Sequence, residues 1–374
     1  MIAAPSGRAL AQAARAAGYL PLVCDFFDDL DTRELAAANL LVEGDFAHGF
    51  ETAPLMAALK ALAEGAQVEG KQVIGLVYGA GFEDRTGLLE EIAKHWPLLG
   101  NAPSIVQRVK DPAALAELCA DLRVPHPDIS FETPTDGSRW LIKHAGGSGG
   151  VHIAAAEPGL LANGGYYQRR VAGRPVSSLL LADGTKSLML GLSEQWATPA
   201  PGQPWRFGGA ARPVSLDATL AEALTRASCD IAAAAELVGL NSIDFLVEGP
   251  DFHLIEINPR PGATLDIFRD HDGRLLRAHI EACRGDLPDK SLRFEAAEAA
   301  SFVYAPYEIA STPACDWPIW AADRQKPGSA VAEHDPLCTV TASGPDLHFV
   351  RRLLDERAAQ ILTLLSINQR EAAA

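Results

Sequence analysis

The chain has 374 residues, of which 48% are hydrophobic and 21% are charged, and its formal net charge is -16. This length predicts two or three domains rather than one simple core. The acidic charge argues against nonspecific binding to nucleic acid or to an anionic membrane. The sequence contains no run of about 18 apolar residues, so no membrane-spanning helix is predicted. The six cysteines include no CxxC pair, which is typical of a reduced, cytoplasmic protein. The first twenty residues fit strand, turn and helix better than a transit peptide.

The first 105 residues alternate between strand-like and helical patterns. Helical and strand-like stretches follow one another in the order 7–19, 20–27, 53–65, 71–81 and 87–96. Such alternation predicts an α/β unit with a parallel sheet. Gly79-Ala80-Gly81 ends the strand-like stretch 71–81. It is either a ligand-binding turn or a plain connection from strand to helix.

The rest of the chain is richer in strand patterns. In residues 111–127, a helical pattern ends before Pro125 and Pro127 and predicts a subdomain border. Strand patterns follow at 139–145, 151–156, 165–173, 175–183 and 187–196. After a predicted helix at 216–239, the tail contains further strand patterns and a helix at 346–365. The tail therefore predicts a small β-rich unit closed by a helix.

Two alternating stretches, IDFLVE and FHLIEIN, predict a β-hairpin over residues 243–258. With a three-residue turn at 249–251, Asp244 lies opposite Glu256, and Asn258 shares their face. Opposed carboxylates repel each other, so this face requires a cation unless it is only the polar, solvent-facing side of a hairpin. Its oxygen donors favour Mg²⁺, or Mn²⁺ as a substitute, over zinc. We expect Glu256→Gln to relieve the repulsion and to stabilise the metal-free fold slightly.

The stretch LIKHAGGSGG, residues 141–150, puts a lysine on a strand before a glycine-rich loop. A lysine is a point charge for phosphates, and glycines allow backbone N–H groups to form an anion-binding nest. The order differs from that of a Walker loop, and a flexible hairpin tip is the alternative interpretation. The candidate phosphate-binding residues are Lys143, Gly146, Gly147, Ser148, Gly149 and Gly150.

Together, these two stretches resemble the ATP-grasp superfamily, in matching order and spacing over roughly residues 100 to 270. The resemblance implies that Lys143 and the glycine loop bind the triphosphate of ATP. It implies that Asp244, Glu256 and Asn258 bind Mg²⁺. It further implies a linker that holds the adenine through its backbone, formed by Gln168, Arg169, Arg170 and Val171.

The resemblance also implies the domain order. The fold class is then α/β and α+β, an ATP-grasp fold with two additional domains. An N-terminal Rossmann-like domain is expected at 1–105, the ATP-grasp domain at 106–297, and a small β-rich C-terminal domain with a terminal helix at 298–374.

Two positions depart from the family pattern. Many members carry an Asp-Lys pair where this chain has Asp111-Pro112, and the lysine of that pair touches the α-phosphate. Lys110 or Arg108 must replace that lysine, or the contact is lost. An acidic residue that often grips the ribose would fall near Pro175, and it is absent.

The family chemistry implies an ADP-forming carboxylate–amine ligase that activates a carboxylate as an acyl phosphate. Lys143 and Arg260 are then the candidate catalytic residues, because charge neutralisation dominates such reactions. An ion pair with Asp266 or Glu256 is the structural alternative for Arg260. The segment 204–213 is either part of the acceptor pocket or a plain hairpin.

Residues 168–178 and 256–264 resemble a branch that includes the tyramine–glutamate ligase of methanofuran synthesis and a ligase of pyrrolysine synthesis. This implies that a carboxylate, such as that of glutamate or another amino acid, is joined to a small amine in coenzyme biosynthesis. One alternative is an ATP-dependent carboxylase of the purine-biosynthesis type, and another is a non-catalytic nucleotide-binding protein. The expected partners are small molecules, not nucleic acid or membrane, and a homodimer is left open.

Overall fold

A computed structural model describes residues 1–45, 48–156 and 165–372 of the chain. Its N-terminal part contains a parallel sheet with the strand order β3-β2-β1-β6, beside a two-stranded ribbon of β4 and β5. The strands are β1 (Ile2–Ala3), β2 (Leu22–Asp25), β3 (Ala38–Leu41), β4 (Gly44–Asp45), β5 (Gly49–Phe50) and β6 (Val77–Tyr78). The parallel pairing confirms the α/β unit predicted for the first 105 residues.

Helices lie around this sheet, and most of them bury apolar side chains. They are α1 (Arg8–Ala16), α2 (Leu30–Leu35), α3 (Thr52–Val68), α4 (Thr86–Ala93) and α5 (Pro103–Lys110). In α3, for example, Leu55, Leu59 and Leu62 recur at helical spacing and are buried. The predicted helical patterns correspond to α1, α3 and α4, whereas α2 and α5 were not predicted.

A small antiparallel sheet follows α6 (Pro112–Asp121), in which the side chain of Asp111 caps the first turn. The sheet has the order β7-β10-β8-β9. Its strands are β7 (Ile129–Ser130), β8 (Trp140–His144), β9 (Ile153–Ala155) and β10 (Gly165–Arg169). The glycine-rich loop joins β8 to β9, whose register pairs Lys143 with Ile153.

An eight-stranded antiparallel sheet forms the rest of the fold, in the order β15-β14-β11-β12-β13-β16-β18-β17. Its strands are β11 (Arg174–Asp183), β12 (Ser187–Ala197), β13 (Phe207–Arg212), β14 (Val238–Glu248), β15 (Asp251–Asn258), β16 (Ala297–Tyr304), β17 (Ala321–Ala322) and β18 (Pro336–Gly344). Its helices are α7 (Ala218–Ala234), α8 (Arg274–Ala282) and α9 (Leu347–Ala372). The tail strands β16 and β18 thus extend the central sheet, and the three domain limits remain predictions.

The two faces of β11 pack against different helices. Val176 and Leu180 belong to an apolar core that includes residues of α7, whereas Leu179 and Leu181 belong to a core that includes residues of α1 and α8. Ser177 therefore lies on the face that is turned toward the N-terminal part. None of the helices in the described ranges is long and apolar enough to cross a membrane.

The predicted hairpin is formed by β14 and β15, but its turn differs from the prediction. The turn has two residues, because Glu248 pairs directly with Asp251. On its own, this turn would slip the register by one and remove Asp244 from its place opposite Glu256. An irregularity in the pairing between Asp244 and Phe245, which leaves Ile255 unpaired, restores that opposition. The predicted pairing of Asp244 with Glu256 is therefore present, whereas the predicted three-residue turn is wrong.

Candidate active site

The polar face of the β14–β15 hairpin carries the three predicted metal-binding side chains. Asp244 Oδ2 accepts a hydrogen bond from Asn258 Nδ2 at 2.9 Å, and its Oδ1 accepts one from Ser177 Oγ at 2.6 Å. Glu256 Oε1 accepts a hydrogen bond from Lys110 Nζ at 2.5 Å. The site therefore brings Asp244, Glu256 and Asn258 together, and it adds Ser177, which the sequence did not indicate.

The two carboxylates differ in how well their charges are compensated. Burial, and then repulsion from Glu256, raises the pKa of Asp244 to about 6. Burial also opposes the charge on Glu256, but Lys110, His152 and Lys143 lower the pKa of Glu256 to about 2. The face therefore has one well-compensated carboxylate, Glu256, and one, Asp244, whose charge Lys110 and Arg260 offset only in part.

This donor set fits a hard divalent cation. Two carboxylates and an amide oxygen are ligands that Mg²⁺ accepts, and few protein ligands suffice when phosphate oxygens complete its shell. No group of three His, Cys, Asp or Glu side chains in the described ranges could hold a metal ion by itself. A cation at this hairpin therefore depends on Asn258 and on oxygens from a bound substrate.

Two lysines reach this hairpin from different elements. Lys110, the last residue of α5, is buried and also donates to Asn258 Oδ1 at 3.3 Å. Arg108, the other candidate for the missing family lysine, donates instead to the carbonyl of Ala235. The structure thus brings Lys110 into the site and leaves Arg108 outside it.

Lys143 lies on β8 and its side chain is buried. Burial lowers the pKa of its ammonium group, whereas Glu256 and Asp244 favour the charged form. The nearby Lys110 also disfavours that charge. The two ammonium groups balance the two carboxylates, so a divalent cation bound here would leave an excess of positive charge, which phosphates would neutralise.

The glycine-rich loop approaches other backbone segments very closely at two positions. A Cβ atom at Gly146 would lie 2.7 Å from the backbone nitrogen of Asp84, and one at Gly150 would lie 1.9 Å from the carbonyl oxygen of Trp205. Both glycines have positive φ angles, +78° and +76°. The amide of Phe207 also donates to the carbonyl of Gly149 at 2.9 Å. Glycine is therefore required here for contact as well as for conformation.

Sequence reasoning also missed His152, which follows the loop. A Cβ atom at Gly147 would lie 2.2 Å from Cγ of this ring. Its Nδ1 is buried and has no hydrogen-bond partner among the residues that the structure describes. Burial lowers the pKa of His152 to about 4, with Glu256 opposing that shift. A histidine two residues after the last glycine of the loop was the signal available in the sequence.

Arg260 pairs with a residue that neither sequence-based alternative named. Its Nε donates to Glu83 Oε1 at 2.8 Å, and its Nη2 lies 3.3 Å from Asn258 Oδ1. Asp266 instead pairs with Arg8 at 2.7 Å. The expected alternatives for Arg260, an ion pair with Asp266 or Glu256, are therefore wrong.

The turn after β6 holds Glu83 in place. Glu83 Oε2 accepts hydrogen bonds from the amides of Gly81 and Phe82 at 2.8 and 3.0 Å. Burial opposes the charge, but Arg260 and then Lys110 keep the pKa of Glu83 below its ordinary value. In this structure, the Gly79-Ala80-Gly81 turn thus binds a side chain of its own chain.

The linker after β10 uses part of its backbone within the protein. Gln168 is buried and pairs with Leu141. The amides of Arg169 and Arg170 donate to the carbonyls of Asp128 and Arg139, each at 2.8 Å. A purine would therefore have to bind other backbone groups of the linker, such as those of Val171.

The segment 204–213 contains strand β13 and two structural arginines. Arg206 donates to the carbonyls of Thr198 and His334 at 3.0 and 2.6 Å. Arg212 donates to the carbonyls of Phe294 and Ala296 at 3.0 and 2.8 Å. The antiparallel pairing of β12 with β13 fits the hairpin interpretation of this segment, and a role in the acceptor pocket remains a prediction.

An apolar cavity of about 330 Å³ lies at the amino ends of the parallel strands, and Ile2, Leu62 and Leu276 are among its lining residues. It shares no lining residue with the site around Lys143 and Glu256. Its position, at the opposite end of the strands from the turn that carries Glu83, separates it from the polar site.

Comparison with known proteins identifies this fold. Residues 110–264 match the family model of the ATP-grasp domain. The chain is similar to pyruvate carboxylase of Rhizobium etli, with 16% identity and a TM-score of 0.70 over 95% of this chain and 37% of that chain. It is similar to biotin carboxylase of Campylobacter jejuni, with 15% identity and a TM-score of 0.69 over 93% and 88%. It is also similar to N5-carboxyaminoimidazole synthase of Aspergillus clavatus, with 12% identity and a TM-score of 0.68 over 96% and 98%.

No curated protein matches the chain in sequence. The chain spans little more than a third of the pyruvate carboxylase chain but most of the other two. The family match and the three structures agree on the architecture, so the chain contains an ATP-grasp domain and has an ATP-grasp fold. This confirms the predicted fold class.

Proposed function

We propose that the protein is an ATP- and Mg²⁺-dependent, ADP-forming ligase that joins a carboxylate to an amine through an acyl phosphate. One observation carries this proposal. Lys143 and Lys110 come from separate elements and reach the same hairpin face as Asp244 and Glu256, next to a glycine-rich loop. Buried ammonium groups beside paired carboxylates suit a site that binds polyphosphate together with a divalent cation.

The proposal assigns nucleotide binding to Lys143, to Lys110 and to the loop from Gly146 to Gly150. Structures of two similar proteins were solved with a β-γ-ATP ligand and with ADP, which supports the choice of an adenine nucleotide. Asp244, Glu256 and Asn258 would hold Mg²⁺, which, when bound, neutralises phosphate charge. The linker from Gln168 to Val171 is the proposed adenine contact.

The proposed reaction has two steps. A carboxylate oxygen attacks the γ-phosphorus of ATP, the bond from that phosphorus to its bridging oxygen breaks, and ADP leaves with the electron pair. The amine nitrogen then attacks the acyl carbon, inorganic phosphate leaves, and the nitrogen loses a proton. Lys143 and Arg260 would stabilise the charge that develops on the transferring phosphoryl group.

The proposed substrates are a small amine and the carboxylate of an amino acid, such as glutamate, in coenzyme biosynthesis. This rests on the resemblance of residues 168–178 and 256–264 to the tyramine–glutamate and pyrrolysine-pathway ligases. A homodimer is also proposed, and light scattering would test it.

A carboxylase is the second candidate, because bicarbonate is itself a carboxylate that can be phosphorylated. The similarity to a biotin carboxylase and to an N5-carboxyaminoimidazole synthase favours this candidate, although identities of 15% and 12% support only a shared fold. A non-catalytic nucleotide-binding protein is a third candidate. The presence of Lys143, Asp244, Glu256 and Asn258 together argues against it.

One assay separates the three candidates. ADP release is measured with ATP and Mg²⁺ over a matrix of carboxylates and amines, with and without bicarbonate. A ligase requires both an organic carboxylate and an amine, whereas a carboxylase requires bicarbonate and one acceptor. Nucleotide binding without ADP release under any condition would indicate the non-catalytic protein, and no nucleotide binding at all would refute the proposal.

A further inference from the structure

The guanidinium group of Arg260 is constrained on three sides. Nε donates to Glu83, and Nη2 lies against the amide oxygen of Asn258. The third nitrogen, Nη1, lies beside Gly262, where a Cβ atom would be only 2.6 Å away from it. Any side chain larger than hydrogen at position 262 would therefore press on Nη1.

The backbone at Gly262 does not explain why this residue is glycine. Its φ of -133° and ψ of -170° are those of extended backbone, which any residue can adopt. Apart from its chain neighbours, the described atoms within 4 Å of such a Cβ are Nη1 and Cζ of Arg260, at 2.6 and 3.9 Å. What glycine provides at this position is therefore the space occupied by Nη1.

Glu83 constrains the other edge of the guanidinium. Its carboxylate is buried and accepts two backbone amides from its own turn, so it is fixed independently of Arg260. It lies 177 positions before Arg260, in the turn that follows strand β6 of the N-terminal sheet. The N-terminal part of the chain thereby sets the orientation of an arginine at the end of the metal hairpin.

We propose that Glu83 and Gly262 are positioning residues, which aim Nη1 of Arg260 at the phosphoryl group during transfer. This inference rests on the proposed function. Glu83 fixes Nε, Asn258 fixes Nη2, and Gly262 gives Nη1 the room that it occupies, from where it can donate to an anion. A guanidinium held in this way loses little orientational freedom when the anion arrives.

A purely structural ion pair would explain the contact between Glu83 and Arg260, and Gly262 gives the guanidinium room in either case. Such a pair leaves one donor without a role, because among the described residues Nε and Nη2 have hydrogen-bond partners and none is found for Nη1. This remaining donor on a buried guanidinium is the observation that points to a ligand.

The test uses inorganic phosphate as the probe for the transferred group. Phosphate is titrated by calorimetry into the full-length protein saturated with MgADP, and MgADP affinity is measured in parallel. Gly262→Ala and Glu83→Gln should each weaken phosphate binding by about tenfold or more, since a hydrogen bond to a charged group is lost or misdirected. MgADP affinity should stay within about twofold of the parent, since the lysines and the hairpin are untouched.

Gly87→Ala is the matched control, because a Cβ atom at Gly87 meets no atom within 4 Å. It should change neither affinity. Thermal melting reports whether Glu83→Gln folds, and Gly262→Ala keeps the test decisive because its backbone accepts alanine.

Unchanged phosphate affinity in Gly262→Ala overturns the inference, whatever Glu83→Gln does. A parent protein that binds MgADP but not phosphate also overturns it, while leaving the proposed function in place. A parent that fails to bind MgADP overturns both the inference and the proposed function.

Discussion

Lys110 Nζ lies 2.5 Å from Glu256 Oε1, and the two side chains are only 6% and 24% exposed. The lysine ends α5, whereas the glutamate is on β15, 146 positions later in the chain. In this arrangement, an ammonium group supplies the positive charge that the hairpin needs when no other cation is bound. Lys110 and a divalent cation would therefore compete for the same carboxylate.

Lys110→Met should make the protein depend more strongly on Mg²⁺. Without the ammonium group, Glu256 loses its hydrogen-bonded cation and the largest part of its charge compensation, and we expect a loss of about 1–3 kcal/mol in the free energy of unfolding without Mg²⁺. Adding Mg²⁺ alone should then raise the melting temperature of the variant more than that of the parent. An equal Mg²⁺ response in both proteins would contradict this competition.

The two hairpin carboxylates should respond differently to neutralisation. Asp244→Asn removes the charge that burial and Glu256 disfavour, so at pH 8 without Mg²⁺ it should stabilise the fold by about 1 kcal/mol. Glu256→Gln removes the negative charge that pairs with the buried ammonium group of Lys110, so it should destabilise the fold by a similar amount. This revises the expectation from the sequence alone, in which Glu256→Gln was stabilising.

Urea unfolding of Asp244→Asn and Glu256→Gln at one pH measures these changes, and ADP release measures their catalytic effect. Both variants should lose turnover by orders of magnitude, because both remove a proposed ligand of the cation. Ser242 is not a neutral control for these variants, since it pairs directly with Asn258 in the hairpin. Equal stability changes of the same sign would show that Lys110 does not discriminate between the carboxylates.

The hairpin shows what alternation in a sequence can determine. The period of two correctly placed Ile243, Phe245 and Val247 in the core and left Asp244 on the polar face. The turn was mispredicted because Gly-Pro-Asp suits loops of two and of three residues. The irregularity between Asp244 and Phe245 has no signature in the sequence, and the Asp244–Glu256 pairing was predicted only because the two deviations cancel.

Other parts of the site depend on contacts between distant segments. Sequence could not choose between Lys110 and Arg108, because that choice depends on which side of α5 packs against β15. The sequence could not identify Glu83 as the partner of Arg260 either. The two residues are 177 positions apart, and only the tertiary fold brings them together. Local patterns thus predicted the hairpin and the glycine loop, whereas the charge compensation within the site required the structure.

Lys143→Ala should weaken nucleotide binding. Its ammonium group is the proposed point charge for the phosphates, and removing it should lower MgATP affinity by about tenfold or more in calorimetry. Adenosine affinity should change little, because the ribose and base do not meet this charge. If MgATP and adenosine lose affinity equally, Lys143 supports the fold of the pocket and does not bind phosphate.

The glycine-rich loop offers a matched pair of substitutions. Gly149 and Gly150 both have positive φ angles, but a Cβ atom at Gly149 meets nothing within 4 Å, whereas one at Gly150 meets the carbonyl of Trp205. Gly149→Ala should therefore cost about 1–2 kcal/mol of local backbone strain. Gly150→Ala should in addition displace the loop and lower MgATP affinity by about tenfold or more.

Hydrogen exchange across residues 144–151 follows the loop directly. In the parent protein, we expect exchange to slow when an ATP analogue binds, since glycine-rich loops commonly close over a ligand. Gly149→Ala should keep this protection and Gly150→Ala should lose it. Equal protection in both variants would mean that the contact with Trp205 does not matter for closure.

His279 should give the fold a measurable dependence on pH. Its Nδ1 accepts a hydrogen bond from the amide of Leu240 at 2.9 Å, and its Nε2 lies 3.0 Å from the carbonyl of Leu99. Both bonds are made by the neutral ring with a proton on Nε2. Burial lowers the pKa of His279 from 6.5 to about 4, so the folded protein disfavours the charged ring.

Below pH 6.5, His279 binds a proton in the unfolded chain but stays neutral in the folded protein. The contribution of His279 to stability is therefore complete above pH 6.5 and is lost as the pH falls toward 4. Lowering the pH from 6.5 to 5 should cost the parent about 2 kcal/mol through this residue. His279→Asn keeps an acceptor for Leu240 but does not titrate. Its free energy of unfolding, measured with urea between pH 5 and 7.5, should be lower at pH 7.5 and should fall less steeply with acid. Identical pH slopes in the two proteins would show that His279 titrates alike in the folded and unfolded states.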